Sequence, residues 1–380
     1  MNRSSTYTQS RLRALRTRIR AKKLDALLVT SLNNVRYLTG YSGSNGIAVV
    51  SQRGAYFLTD FRYKTQAQKE VKNYRIRIAQ RQLLPELKNL APIRPGARVG
   101  FEAVNLSVKV LGTLKKLLPE VKLLPTEALV ESISIRKDKE EIRKLRRAAR
   151  IADSAFEHAL KFIKPGVREL DIASEIDYFM KKSGLKIPAL ESVPPFQSYA
   201  VMPSFETIVA SGVRSAMPHG VASTKKIKKG EFVTMDFGGQ YQGYSSDLTR
   251  TVVVGKATPK QKKIYNLVLE AQLLALSEAK AGMKAKDLDK VARDVISRAG
   301  YGKNFGHGLG HGLGLLVHDS PAVSPSSEAT LLPGMVITIE PGIYLQGWGG
   351  VRIEDDVLVT RAGHEVLTSA ARQLKEAVVG

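Results

Sequence analysis

The segment 232-FVTMDFGGQYQGYSSDLTRTVVVG-255 holds two aspartates, Asp236 and Asp247, inside runs otherwise rich in Val, Thr, Phe and Tyr. Such runs read as β-strands, and the glycines at 238, 239 and 243 read as the connection of a hairpin. A buried strand is a costly place for an ionised carboxylate unless a counter-charge meets it. With the turn centred between Tyr241 and Gln242, positions 236 and 247 stand opposite each other, Cβ atoms about 4.5–5.5 Å apart. Two like charges that close call for a cation between them.

The same pattern recurs downstream. The run "GMVITIEPGIY" places Glu340 at the end of an alternating strand, before a Pro-Gly turn. The run "GGVRIEDDVLVT" places Glu354 in another strand, with Arg352 on the same face. One acidic residue in a strand is ordinarily an edge charge facing water, but four in one β-rich half are not explained that way. Between them lies "FGHGLGHGLGLLVHD", residues 305–319, with His307 and His311 four apart. On a helix that is a zinc-ligand spacing. Glycines at 306, 308, 310, 312 and 314 argue against a helix, since each costs about 1 kcal/mol relative to alanine. The segment reads as extended, with His307 and His311 on one side and His318 on the strand that follows. Four carboxylates with one ligating histidine suit hard or borderline divalent ions. Four negative charges also match two such ions, which about 3.5–4 Å apart can lower the pKa of a shared water. The residues alone therefore point to a two-metal hydrolase.

The chain of 380 residues is long for one core, which favours two domains. It has no cysteine, which excludes disulfides, thiolate zinc sites and cysteine nucleophiles. No run of 18 or more apolar residues predicts a membrane span. Net charge is +24, and residues 1–135 hold 24 Lys/Arg against 8 Asp/Glu. We read this as a basic, solvated surface, because no aromatic-interleaved basic motif marks a nucleic-acid site. The Arg- and Ser-rich start, "MNRSSTYTQSRLRALRTRIRAKK", has a transit-peptide composition. Its apolar spacing nonetheless runs on into "LDALLVTSLNNVRYLTG", so it reads as the first helix of the fold followed by a buried strand. No secretory h-region is present, and the cytoplasm is the expected location.

Residues 1–135 alternate helical and strand-like runs, an α/β pattern without a Gly-rich phosphate loop. A second domain, 136–380, opens with Asp138 and Glu141 in a capping box. Apolar residues then recur from Ile142 to Ile163 every three or four positions, and Pro165-Gly166 closes the helix. Further helices are expected over 167–183, 259–281 and 285–299, among strand hairpins.

Assembled in this order, the residues resemble the pita-bread metallopeptidases: creatinase, aminopeptidase P, Xaa-Pro dipeptidase and methionine aminopeptidase. "NNVRYLTGYSGSNG" and "LTDFRYKTQA" resemble the N-terminal domain of the creatinase and proline-specific branch, which methionine aminopeptidases lack. "PSFETIVASG", "PHGVAS", the opening hairpin, "GHGLGHGLGLLVHD", "ITIEPGIY" and "GVRIEDDV" resemble the catalytic domain in order. The resemblance implies an α/β N-terminal domain before an α+β pita-bread catalytic domain. It implies metal ligands Asp236, Asp247, His311, Glu340 and Glu354. Asp247 and Glu354 would bridge two divalent ions, Asp236 would hold one, and His311 and Glu340 the other. Manganese is the expected metal, with cobalt and zinc also suited. Glu340 would accept a proton from the attacking water. His219 and His318 would hydrogen-bond the scissile carbonyl or pass a proton, and Arg352 would anchor carboxylates.

The implied activity is cleavage between an N-terminal residue and a following proline, with short proline-containing peptides as substrates and a homodimer as the assembly. The alternatives are a dipeptidase restricted to Xaa-Pro dipeptides, and an inactive binding protein for nucleic acid or a protein partner. His307 lies near the site but matches no family ligand; His158 and His364 read as surface residues. Two departures stand out. Residues 184–203 are longer than the usual connection there and carry four prolines, which suggests a shaped loop at the site's rim or a subunit contact. Ala322 stands where many prolidases place an arginine for the dipeptide carboxylate, which leans towards aminopeptidase P.

Overall fold

The computed structural model describes residues 3–185, 201–374 and 378–379. The loop expected over 184–203 lies largely outside them. The chain forms two compact units, Met1–Ser134 and Ile135–Gly380.

In the first unit, Leu12, Leu15 and Ile19 bury one stripe of α1 (Arg3–Ala21) at helical spacing. The strands are β1 (Ala26–Val29), β2 (Ile47–Ser51), β3 (Ala55–Asp60), β4 (Arg75–Ala79), β5 (Arg98–Glu102) and β6 (Lys122–Thr126). They form one sheet in the order β4-β3-β2-β1-β5-β6, with β2 alone running against the others. The buried strand expected after the first helix forms as β1, and the chain then turns into α2 (Leu32–Thr39). Helices α3 (Lys64–Glu70), α4 (Val108–Leu117) and the short α5 (Glu131–Ser134) complete the unit. Asp60, Glu70 and Glu102 are buried and accept hydrogen bonds from Arg62, Ser42 and Asn34 respectively. They therefore do little to offset the basic surface around them.

In the second unit, Asp138 caps α6 (Lys139–Ala159), and Glu141 reaches back to the Asp138 amide. The helix stops at Ala159, well before Pro165. Its last turn tightens there into bonds from Lys161 and Phe162 to His158 and Ala159, three residues back. Helices α7 (Glu169–Leu185), α8 (Pro259–Glu278) and α9 (Ala285–Arg298) follow. One sheet has the order β20-β12-β9-β8, from β8 (Ile208–Ser211), β9 (Phe232–Phe237), β12 (Leu248–Val254) and β20 (Val378–Val379). Its inner face packs Val209, Val233, Met235 and Val252 on Ala152, Phe156, Ile172 and Ile176 of α6 and α7. A second sheet, β14-β13-β15-β18-β19, uses β13 (Gly310–Gly312), β14 (Asp319–Val323), β15 (Val336–Ile339), β18 (Asp355–Val359) and β19 (His364–Val366). Ile337, Ile339 and Val357 of this sheet pack with Ile264 and Val268 of α8 and Leu288 and Val295 of α9. The remaining strands are β7 (Met202–Pro203), β10 (Gly239–Tyr241) and β11 (Tyr244–Ser245) in one small sheet, and the pair β16 (Gly342–Leu345) and β17 (Gly349–Arg352). No helix among the described residues is long and apolar enough to cross a membrane.

The opening hairpin forms, with a register two residues from the expected one. Tyr241 pairs with Tyr244, so the turn is Gln242-Gly243, and both residues have positive φ, 50° and 84°. That is what a two-residue loop needs to match the strand twist. Asp236 consequently faces Thr249, and Asp247 lies diagonally beside it on the same face. Both strands break at Gly238 and at Ser246-Asp247, where the Gly239 amide bonds the Ser246 hydroxyl. A Cβ on Gly238 would lie 1.7 Å from the Ser246 carbonyl oxygen, so the crossing requires glycine.

A paired substitution tests this packing. Gly238→Ala should lower stability by at least about 2 kcal/mol in urea unfolding, because the neighbour it strikes is backbone. Gly112→Ala, inside α4 with open space around it, should raise stability by about 0.5–1 kcal/mol.

Candidate metal centre

The four carboxylates do not lie in the middle of strands. Asp236 is the penultimate residue of β9, and Asp247 sits in the break before β12. Glu340 directly follows β15, and Glu354 occupies the step between β17 and β18. Each is thus carried to a sheet end by a buried, apolar strand that holds it rigidly. All four line one cavity of about 650 Å³ together with His219, His307, His311, His318, Tyr344 and Arg352. Every site residue expected from the sequence is in this cavity. Phe205, Ile208, Val221 and Val317 supply its apolar wall, and Glu206 also lines it.

One oxygen each of Asp247 and Glu354 and one nitrogen of His311 lie within 4.8 Å of one another. His311 Nε2 is 3.7 Å from Asp247 Oδ2 and 3.5 Å from Glu340 Oε1. Its Nδ1 lies 3.0 Å from the Gly312 carbonyl, which holds the proton on that nitrogen and leaves the Nε2 lone pair facing the carboxylates. Burial lowers the pKa of this ring and favours its neutral form. Glu354 accepts a 2.7 Å bond from Thr249 Oγ1, and Thr249 in turn accepts from Arg352 Nε at 3.0 Å. Arg352 also donates to Asp236.

This arrangement is not balanced by protein atoms. Asp236 Oδ1 and Asp247 Oδ1 are buried with no hydrogen-bond partner. Burial first, then repulsion from neighbouring carboxylates, pushes Asp247 and Glu354 well above the usual carboxylate range. Burial likewise raises Glu340 to about 8, although Arg352 pulls the other way. Carboxylates crowded around a histidine lone pair, with orphaned oxygens between them, fit a divalent cation.

A second layer was only partly visible in the sequence. Tyr344 accepts from Arg352 Nη1 at 2.8 Å and donates to His307 Nε2 at 2.9 Å. Burial raises the Tyr344 hydroxyl to about 12 and lowers His307 to about 4, the latter helped by Arg352. The signal for Tyr344 was the alternation of 340, 342 and 344 across the Pro-Gly step. His318 is not in a strand but in the bend run 314–318 before β14, where its ring centroid lies 4.4 Å from that of His311. The two remaining histidines are less exposed than expected. His158 contacts Glu175 at 2.6 Å and stacks on Phe179, and His364 opens β19 with Nδ1 3.1 Å from the Ala279 carbonyl.

Comparisons with known proteins agree along the length of the chain. The family model for metallopeptidase family M24 matches residues 143–361, and that for the creatinase/prolidase N-terminal domain matches residues 11–134. The chain is 42% identical to the uncharacterized peptidase YqhT of Bacillus subtilis, over 92% of this chain and 95% of that protein. It is 39% identical to the Xaa-Pro dipeptidase of Pyrococcus horikoshii, over 92% and 94%. The solved structure of an Xaa-Pro dipeptidase from Bacillus anthracis superimposes with a TM-score of 0.90 at 41% identity, covering 98% of this chain and 100% of that one.

Removing divalent ions should make stability pH-dependent in a defined direction. The raised pKa of Glu340 means that the stripped protein keeps this group's contribution only at low pH and loses it as pH climbs towards about 8. The slope is about 1.4 kcal/mol per pH unit for each carboxyl so held. Thermal unfolding in chelator should therefore shift downwards between about pH 5 and 8, and divalent ions should abolish the shift.

Proposed function

This chain belongs to metallopeptidase family M24, with a pita-bread catalytic fold behind a creatinase/prolidase N-terminal domain, and we propose that it cleaves the bond between an N-terminal residue and a following proline. The observation that carries this reading is the cluster of Asp236, Asp247, His311, Glu340 and Glu354 in one cavity. We assign the N-terminal domain to residues 1–135 and the catalytic domain to residues 136–380. The proline preference follows relatives named Xaa-Pro dipeptidase.

Within this proposal Asp236, Asp247, His311, Glu340 and Glu354 would hold two divalent ions, manganese first. Bound there, the ions supply positive charge that polarises the scissile carbonyl and lowers the pKa of a water. Glu340 takes the proton of the attacking water, and the same carboxyl returns it to the proline nitrogen as the bond breaks. His219 and His318, both on the cavity wall, donate hydrogen bonds to the carbonyl oxygen as its charge develops. Arg352 and Thr249 fix the carboxylates from behind. A homodimer in the cytoplasm completes the reading.

Substrate length divides two versions. The names of the relatives favour dipeptides. Against this, the only Lys or Arg among the described lining residues is Arg352, 3% exposed and already bonded to Asp236, Thr249 and Tyr344. Among the described lining residues a dipeptide's carboxylate meets no further Lys or Arg, which supports longer peptides and the aminopeptidase version. Reconstitution with manganese, cobalt or zinc, followed by hydrolysis of Xaa-Pro against Xaa-Pro-Pro and longer peptides, separates the two. Asp247→Asn should reduce hydrolysis to background, and His219→Ala should lower kcat by about 10²–10³. Absence of cleavage with every metal would remove the proposal and leave a binding protein.

A further inference from the structure

The His219 side chain makes no hydrogen bond among the described residues, although it stands on the cavity wall; only its carbonyl is held, accepting from the Val221 amide at 2.9 Å. A side chain without its own tether is placed by its backbone, and that backbone is held from a distance. Glu169, the first residue of α7, is completely buried. Its Oε1 accepts from the Ser211 amide at 2.7 Å and the Ser211 hydroxyl at 2.8 Å. Its Oε2 accepts from the Ser223 hydroxyl at 2.6 Å, the Ser223 amide at 3.2 Å and Arg214 Nε at 3.0 Å. Ser211 and Ser223 are the two feet of the loop whose tip is Pro218-His219, so one carboxylate closes the loop.

The remaining contacts extend this grip to the tip. Arg214, held by Glu169, donates through Nη2 to the Val221 carbonyl at 2.5 Å, just past His219. On the opposite side, Arg352 Nη2 donates to the Pro218 carbonyl at 3.3 Å, and the Gly350 amide bonds Ser215 Oγ at 2.8 Å. Lys225 Nζ donates to Ser211 Oγ at 2.7 Å, which directs that hydroxyl's hydrogen to Glu169. Burying a carboxylate away from the metal centre is costly, and five donors offset that cost. The result is a loop whose feet cannot separate and whose tip is fixed on both flanks of His219.

We infer that Glu169 is a positioning residue that sets His219 against the scissile carbonyl, an inference that rests on the peptidase reading above. Glu169 touches neither substrate nor metal ligand and acts through the loop. Loss of its charge lets His219 drift, and a displacement of about 1 Å can cost on the order of 10²-fold in rate.

The test is a double-mutant cycle on the metal-loaded full chain, with wild type, Glu169→Gln, His219→Ala and the double variant assayed on one Xaa-Pro peptide. Glu169→Gln should lower kcat about 10- to 100-fold with KM and bound metal unchanged. In the His219→Ala background the same change should cost less than about twofold. Glu169→Asp, which keeps the charge, should recover part of the loss. Ser223→Ala keeps the Glu169 carboxylate and removes its 2.6 Å bond together with the 3.1 Å bond from the Lys225 amide to Ser223 Oγ, and it must show the same coupling on a smaller scale. Equal losses in both backgrounds, or an unchanged kcat for Glu169→Gln, overturn the inference and leave the peptidase reading standing. An unchanged kcat for His219→Ala overturns the role of His219 and this inference with it.

Discussion

Four buried or half-buried carboxylates share one cavity, and their mutual repulsion is the constraint around which the second unit is organised. Burial raises the pKa of Asp247, Glu340 and Glu354, and among the described lining residues the only guanidinium is that of Arg352. Arg352 cannot neutralise four charges, and its donors are spread over Asp236, Thr249, Tyr344 and the Pro218 carbonyl. The protein thus stores an electrostatic imbalance that a divalent ion relieves. Few arrangements within the reach of a fold favour metal binding so directly.

The neighbouring Asp355 shows how guanidinium groups remove such an imbalance. Asp355 is as buried as Glu354, yet its pKa is lowered, because Arg250 and Arg372 outweigh the burial. It accepts from Arg250 Nη2 at 2.8 Å, Arg372 Nε at 2.6 Å and Thr368 Oγ1 at 2.7 Å. Arg250 also binds the carbonyls of Glu354, Ala370 and Ala371. The start of β18 is therefore tied to the segment after β19 by an ion cluster, while Glu354, one residue earlier, lines the cavity. Two adjacent positions at the entry to β18 thus separate a structural acid from one that lines the cavity. The same logic places Glu169, another fully satisfied acid, outside the cavity yet in control of the loop that carries His219.

The site was more legible than the path by which the chain reaches it. Acidic residues in Val- and Ile-rich runs were readable because nothing in a buried strand offsets their charge, and the Gly-rich segment around His311 was readable because five glycines do not make a helix. The hairpin register was not readable in the same way. A turn one residue further on, at Gln242-Gly243, moves the partner of Asp236 from Asp247 to Thr249, and local composition does not distinguish the two turns. Tyr344 and Thr249 were passed over because an uncharged residue in a strand is ordinary until its partner is known.

By itself the amino-acid sequence determined the two-part organisation, the types of the main helices and strands, and the four carboxylates set in apolar runs. Those follow from periodicity, glycine content and the cost of burying charge, all of them local. Tertiary structure decided which oxygens are left unpaired, which way His311 presents its lone pair, and how Glu169 closes a loop around His219. Each of these depends on contacts between segments far apart in the chain, where one hydrogen bond more or less changes a carboxylate from a support into a ligand.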